Sequence, residues 1–332
     1  MMSSSKSRKK VLLCGATGFI GRNLLDHFLK KEEFEITGTY HRTLPPTSLR
    51  NDGRVTFLRV DLTDKAQVDR AVQGKDLVIQ AAATTSGARE ILSKPYHHVT
   101  DNAVMNSWIF RSCHENQVGH LVFFSCSIFY PSQAGKPVRE CDFDYKISDP
   151  YFGAGWTKVY LEKMCEFYSK IGPTRFTVIR HSNIYGPFDK VDAERSHVFG
   201  ATVAKVMAAP DNGKVTVWGE GVEERDLLHV DDLTAFVDKA AASQECRFEL
   251  INVGSGESIA VRDLVAKIIK HSGKNLKIEF DRKKPSIPFS LKLNIDRARS
   301  LYGWAPKITL EEGIVKTLDW YRSQVLERQA VA

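Results

Sequence analysis

Short apolar runs separated by polar stretches of helix length set the rhythm of the chain. Residues 11–14, 34–40, 55–60, 76–80, 120–124 and 175–179 read as strands, the first of them short and buried. Between them, helices are expected to begin near Phe19, to cover residues 65–72, and to carry Asn102 and Asn106 on a segment that runs on through Cys113. Strands alternating with helices in this way predict an α/β fold, a Rossmann-type doubly wound parallel sheet. With 332 residues the chain is long enough for a smaller C-terminal α/β lobe as well. The expected division is a disordered tail over residues 1–9 and a sheet domain over 10–180, to which later segments at about 225–255 return. A substrate-binding lobe is expected over 181–325.

Composition narrows the partners. No apolar run reaches the roughly 18 residues that cross a bilayer, so no membrane role is expected. The first ten residues are polar and basic, and the apolar segment after them is too short for a secretory signal. The net charge of +7 is scattered rather than gathered on a stripe, and four of the basic residues (Lys6, Arg8, Lys9 and Lys10) lie in the first ten positions. Nucleic acid is therefore a remote partner, and an anionic small molecule explains the excess as well. Six cysteines show neither a C-x-x-C pair nor a disulfide rhythm, which points to free thiols in a reducing cytoplasm and to no metal site.

The chemistry is organised around residues 10–21. A strand leads into Gly15-Ala16-Thr17-Gly18-Phe19-Ile20-Gly21, and a helix follows. Glycines let the backbone approach a pyrophosphate closely, while the unpaired N–H groups of the new helix face the anion. This Gly-x-x-Gly-x-x-Gly spacing in its strand–turn–helix setting resembles the extended short-chain dehydrogenase/reductase superfamily, also called the NAD-dependent epimerase/dehydratase family. His41-Arg42 ends the second strand where an NAD-specific fold usually places a carboxylate, and a guanidinium pairs better with a 2′-phosphate. NADP is the expected cofactor, with NAD the less favoured. The resemblance implies that Asp61-Leu62-Thr63 is the turn contacting the adenine and that Ala81-Ala82-Ala83 runs under the adenosine. It also implies that an asparagine at 102 or 106 braces the active-site strand, although a solvated polar face would read the same.

At the end of the fifth strand stands Ser125-Cys126-Ser127-Ile128-Phe129-Tyr130-Pro131. The family places there a hydroxyl that orients the sugar oxygen undergoing redox. Counting from Tyr130 gives Cys126, with Ser125 and Ser127 beside it; Ser127 is favoured as the working group because a thiol is a poor donor. The family's Tyr-x-x-x-Lys pair projects both side chains from one helical face, the lysine favouring the phenolate. Lys158 is present, but Ala154 occupies the tyrosine position and has no proton to give. Three accounts stand. The favoured one is a tyrosine-to-alanine change made to trap substrate; the others are natural loss of the acid and relocation of the phenol to Tyr151 or Tyr130.

Further along, Asn183-Ile184-Tyr185-Gly186-Pro187, Ser196-His197-Val198, Trp218 and Arg225 resemble the GDP-L-fucose synthase branch of the family. The resemblance implies an acid/base role for His197. It implies substrate contacts at Asn183, Val198 and Trp218, and a diphosphate contact at Arg225, whose planar fork suits that anion. The run 229–232 is read as structural, with an Asp as helix cap. Two departures stand out: Ile128 falls where that branch has a second acid, and residues 284–289 lack its Gly-Thr-Pro-Arg run. The expected function is NADP-dependent reduction at C4 of a nucleotide-linked 4-keto-6-deoxy sugar or heptose, GDP-linked, without full C3/C5 epimerisation. A C4 epimerase or dehydratase of the same fold, and a catalytically silent binding protein, are the alternatives. A homodimer is expected by resemblance.

Overall fold

The computed structural model describes residues 8–84, 95–193, 196–284 and 289–331. The first part of the chain alternates β1 (Lys9–Cys14), α1 (Phe19–Phe28), β2 (Phe34–Tyr40), α2 (Thr47–Arg50), β3 (Val55–Arg59), α3 (Lys65–Val72), β4 (Leu77–Gln80), α4 (Thr100–Glu115), β5 (His120–Phe124), α5 (Phe152–Ile171) and β6 (Arg175–His181). These strands and β11 (Phe248–Val253) form one seven-stranded sheet in the order β3-β2-β1-β4-β5-β6-β11, every pair parallel. Strand order reverses between β1 and β4, the place where open sheets of this kind bind ligands at the strands' carboxyl ends.

Each face of the sheet is covered. Leu24, Leu25 and Phe28 of α1 pack on one side with Leu13, Ile79 and Val122. Val68 of α3, Ile109 and Phe110 of α4, and Leu161 of α5 pack on the other with Leu12, Val78 and Leu121. Neighbouring strand residues thus feed opposite layers, which is why the central strands carry continuous apolar runs such as 11–14, 77–79 and 121–124.

The expected boundaries need two adjustments. Lys9 belongs to β1 and not to a tail, because Lys10 N donates to Asp76 Oδ2 at 2.7 Å and Asp76 N donates back to Lys10 O at 2.9 Å, extending the ladder. Residues 1–7 lie outside the described residues. Strand β6 continues past Ile179 to His181, since β11 pairs with Arg180 and His181 through Asn252 and Val253.

Between β6 and β11 the chain builds the smaller lobe: β7 (Asn183–Tyr185), α6 (Val198–Ala208), β8 (Lys214–Trp218), β9 (Glu224–Arg225), β10 (Leu227–His229) and α7 (Val230–Ser243). It is completed by β12 (Ile259–Ala260), α8 (Val261–Ser272), β13 (Lys277–Asp281), α9 (Asp296–Tyr302) and α10 (Leu310–Val331). Phe199, Val203, Val217, Leu264, Ile268 and Leu318 form its core. Helix α7 returns to the sheet, where Leu233, Phe236 and Val237 join α1's layer.

The cap of α7 differs from expectation. The His229 ring, not an aspartate, accepts from Asp231 N at 3.2 Å. Asp232 instead turns its carboxylate to Lys307 N and Ile308 N, at 2.9 and 3.0 Å. All six cysteines are free, and among the described residues no helix is long and apolar enough to cross a membrane.

His120 lies in the sheet's core, its Nε2 2.7 Å from Thr177 Oγ1, its Nδ1 without a partner among the described residues. Burial, reinforced by Arg175 and Lys9, pushes its pKa down to about 3. The folded state therefore refuses a proton that the unfolded chain accepts from about pH 6.5 downward, so this contribution to stability is complete above that pH and drains as pH falls toward 3. Unfolding free energies from urea titration should fall once the pH drops below about 6.5, approaching about 1.4 kcal/mol per pH unit for this histidine alone. A His120→Asn variant should show a shallower slope.

Candidate active site

The glycine turn after β1 is held by contacts that leave no room for side chains. Gly15 has φ +73°, and a Cβ there would stand 2.8 Å from Ala82 Cα. A Cβ on Gly21 would stand 2.0 Å from Gly15 O. Helix α1 therefore begins against the turn itself, with no side-chain cap and no acidic residue in its first turn. Its N–H groups and positive dipole end are left for an anion. Thr39, on β2, escaped the sequence analysis: its buried hydroxyl accepts from Gly15 N at 3.0 Å and its carbonyl from Ala16 N at 2.9 Å. A threonine inside a strand carries no signal of this; only the β1–β2 register brings it under the turn.

His41 and Arg42 stand exposed just past β2. The Asp61 carboxylate accepts from Thr63 N and Thr63 Oγ1, at 2.9 and 2.7 Å, and these bonds, helped by nearby His41, keep its pKa low. The two asparagines of α4 are buried and are not a solvated face. Asn106 accepts from Gln80 Nε2 at 3.0 Å, and Asn102 clasps Thr84 through both its N–H and its carbonyl. They brace the exit of β4, beside Ala81, Ala82 and Ala83.

Ser125, Cys126 and Ser127 part company at the end of β5. Ser125 is buried and donates to Glu162 Oε1 at 2.5 Å, so its hydroxyl is spent internally. Ser127 makes no side-chain hydrogen bond among the described residues, which leaves its hydroxyl available. Burial raises the Cys126 thiol to about 11 despite nearby Lys158. Lys158, on α5, donates its ammonium to Phe124 O at 2.7 Å, and burial lowers its pKa while Cys126, Glu162 and Cys165 oppose that shift.

Ala154 lies one helical turn before Lys158, between two glycines. A Cβ on Gly153 would meet Val99 at 2.9 Å, and one on Gly155 would meet Ile147 at 3.0 Å. Tyr130 is removed from the relocation account: its buried hydroxyl donates to Asn252 Oδ1 at 2.8 Å and accepts from Arg180 at 2.9 Å. Tyr151 remains near the chemistry, half-buried against Phe289 and in electrostatic contact with Arg225 and Cys126.

His181 also went unremarked. Its ring packs edge-on to Phe124 with centroids 6.2 Å apart, and its Nδ1 lies 2.7 Å from Ser182 O. Burial, with Lys158 and His197 adding positive charge, pulls it down to about 4. His197 precedes α6 with a face open to solvent, and the protein around it, together with Lys190 and His98, lowers its pKa. Lys158 and His197 thus both stand within electrostatic range of His181.

On the lobe side, Trp218 is flanked by two ammonium groups, Lys205 at 5.4 Å and Lys284 at 5.7 Å from the ring centre. Lys205 had no sequence signal; it faces Trp218 because α6 lies beside β8, where Lys205 Nζ donates to Thr216 O at 3.2 Å. Arg225 donates to Glu224 O and Phe289 O, and its burial lowers its pKa. Asn183 donates its side-chain amide to Asp226 O at 3.3 Å, and Val198 is the first residue of α6. Residues 285–288 of the divergent 284–289 run lie outside the described residues. No group of three or more metal-ligating side chains occurs among the described residues.

A model of the NAD dependent epimerase/dehydratase family matches residues 11–254. The chain is 28% identical over 323 residues to GDP-L-fucose synthase of Azorhizobium caulinodans, covering 94% of this chain and 96% of that protein. It is 25% identical over 324 residues to GDP-L-colitose synthase of Yersinia pseudotuberculosis, covering 95% and 98%. Among solved structures it is similar to UDP-glucuronic acid 4-epimerase from Bacillus cereus in complex with UDP-glucuronic acid and NAD, with TM-score 0.83, 25% identity, and coverage of 95% and 99%. The doubly wound sheet and its glycine cradle define an NAD(P)-dependent oxidoreductase. The chain belongs to the NAD dependent epimerase/dehydratase family.

The cradle fits the nicotinamide dinucleotide of that family, because the space a Cβ would fill at Gly15 and Gly21 is what lets strand, turn and helix close up beneath a pyrophosphate. Replacing Thr39 with Val keeps the shape but leaves Gly15 N unpaired. The expected loss is about 1–3 kcal/mol of stability, with affinity for a reduced nicotinamide dinucleotide weakened severalfold, read by thermal melting and by fluorescence titration.

Proposed function

We propose that this protein is an NADP-dependent nucleotide-sugar 4-ketoreductase acting on a GDP-linked 4-keto-6-deoxy sugar or heptose. The observation that carries the reading is a link between the end of the sheet and the lobe: Tyr151 is in electrostatic contact with both Cys126 and Arg225. Lys158, Cys126, Ser127 and His181 stand at the end of the sheet with His197 in electrostatic range of His181, and the lobe contributes Arg225 together with Trp218 and its neighbour Lys205. The second group suits a nucleoside diphosphate: an aromatic face for a base, cations for phosphate oxygens. The family relatives named for GDP-fucose and GDP-colitose support a GDP-sugar. His41-Arg42 supports NADP over NAD.

In this reading Lys158 holds the nicotinamide ribose, and the Ser127 hydroxyl donates to the sugar's C4 oxygen. The bound nicotinamide supplies the hydride. His197, held largely neutral, is placed to take or return a proton at the ring. With Ile128 in place of a second acid, deprotonation on the opposite face lacks a partner, so reduction without full C3/C5 epimerisation follows. Ala154 offers no proton to the developing alkoxide, which must then draw on water in the crevice. Loss of a general acid costs about 10² to 10⁴ in rate.

Ala154→Tyr should raise NADPH oxidation with a GDP-4-keto-6-deoxy-sugar by about 10²-fold or more. No gain would remove the trapped-variant account and favour a binding protein, and turnover without stoichiometric NADPH would indicate an epimerase or dehydratase. Mass spectrometry of small molecules that purify with the protein reads the base and sugar directly.

A homodimer is part of the proposal. Tyr160, Phe167 and Ile171 on α5 are exposed, and their spacing of seven and four residues places them on one stripe of that helix. Phe167→Glu should convert a dimer to a monomer in light scattering without lowering the melting temperature. An unchanged mass would count against this face.

A further inference from the structure

Directly beneath the strand end that carries Cys126 and Ser127 lies a closed polar cluster. Arg180 and Glu162 are each almost fully buried and meet in a bidentate pair, Nε to Oε1 at 3.0 Å and Nη2 to Oε2 at 2.6 Å. Glu162 also accepts from Ser125 Oγ at 2.5 Å. The second Nη of Arg180 donates to Tyr130 Oη at 2.9 Å and to Glu140 O at 3.0 Å. Tyr130 passes its own proton toward Asn252, whose backbone N–H donates to Glu140 Oε1 at 2.8 Å. The guanidinium is stacked among the rings of Phe129, Tyr130 and Phe143, at 4.8, 5.1 and 5.8 Å.

Such a pair is weak grounds for stability, because desolvating two charges offsets most of their attraction. What it supplies is position. Glu162 follows Lys158 by one turn of α5, and Ser125 follows Phe124, whose carbonyl receives the Lys158 ammonium. The two bonds, Lys158 to Phe124 and Glu162 to Ser125, clamp α5 to the exit of β5 at successive residues.

We infer that Glu162 is a positioning residue for the proposed reaction: by engaging Ser125 and Arg180 it fixes Lys158 on the Phe124 carbonyl and leaves Ser127, not Ser125, as the hydroxyl presented to the sugar. The inference rests on the proposed role of Lys158 at the cofactor. The charged and titratable groups facing Lys158 are Glu162 and Cys165 on its own helix, Cys126 on the strand end and His181 on β6. Those facing Glu162 are Arg180, Tyr130, Cys126, Cys165, Lys158 and Lys163.

The test is NADPH binding followed by nicotinamide fluorescence from about pH 7 to about pH 10, a range that spans lysine ionisation, with melting temperature recorded for each variant. Ser125→Ala removes one bond and leaves both charges paired; it should weaken NADPH severalfold through a loosened Lys158 and lower the melting temperature by only a few degrees. Glu162→Gln should move the alkaline limb of binding to lower pH by about one unit, because an opposing charge beside the ammonium is lost. Should Glu162→Gln not fold, the Glu162→Gln/Arg180→Gln double variant, which buries no unpaired charge, must show the same displaced limb. Melting temperatures that fall while affinity and limb stay put would mean a purely structural cluster and would overturn the inference. Lys158→Met separates the two failures. If it binds NADPH as wild type does, the cofactor reading falls and the inference with it. If it weakens binding while the Ser125 and Glu162 variants do not, the inference alone falls.

Discussion

One buried carboxylate holds the two parts of this molecule together. Asp226, fully buried between β9 and β10, accepts from Ser255 N at 2.8 Å, Ser255 Oγ at 2.9 Å, Gly256 N at 3.3 Å and Leu293 N at 3.0 Å. Burial raises its pKa, and these donors work against that shift. The donors come from the loop leaving β11 and from the segment before α9, so a single side chain joins the lobe's short strands to the sheet's last strand. Gly254 is glycine for the same reason, since a Cβ there would stand 2.8 Å from the carboxylate. Arg225 precedes Asp226 and Leu227 follows it; the placement of the cation in the crevice is therefore set by where its neighbour is anchored.

The sheet was legible because its signal is local. Runs such as 121–124 are apolar at every position, and a strand buried on both faces needs no partner to be recognised. What the sequence could not display was the lobe's scattered pairing. Strands β7 and β10 are three residues each and β9 and β12 two each, too short for any periodicity to show. What marks them is long-range: the parallel pairing of Asn183–Tyr185 with Leu227–His229, the antiparallel pairing of Glu224–Arg225 with Ile259–Ala260, and the Asp226 bonds to Ser255 and Leu293. The α7 cap was misassigned on the same ground. Asp231 and Asp232 look like caps in sequence, but an imidazole already fills that role, and Asp232 is claimed by backbone N–H groups 75 residues and more away.

The site divides along the same line. Gly15, Gly18, Gly21, Lys158 and Arg225 lie in motifs whose spacing is itself the signal. Thr39, Lys205, His181 and Glu162 do not: each acquires its place from a strand register or a helix crossing that exists only in the folded chain. The choice among Ser125, Cys126 and Ser127 is of this second kind. Three adjacent small polar side chains are equivalent on paper, and burial beside Glu162 takes Ser125 out of contention.

Ala154 gains its meaning from what does not change around it. Lys158 is fixed by a backbone carbonyl and lies in range of the Glu162 carboxylate, so nothing in its placement requires a phenol one turn earlier. The glycines on either side of Ala154 are packed against Val99 and Ile147, which makes the start of α5 a close-fitted turn rather than a collapsed one. Under the proposed function Lys158 serves the cofactor, and the supports of that task stand here without a phenol one turn earlier. On that reading binding and proton transfer, which the motif normally joins, are physically separable in this chain, because the contacts that hold Lys158 do not depend on residue 154.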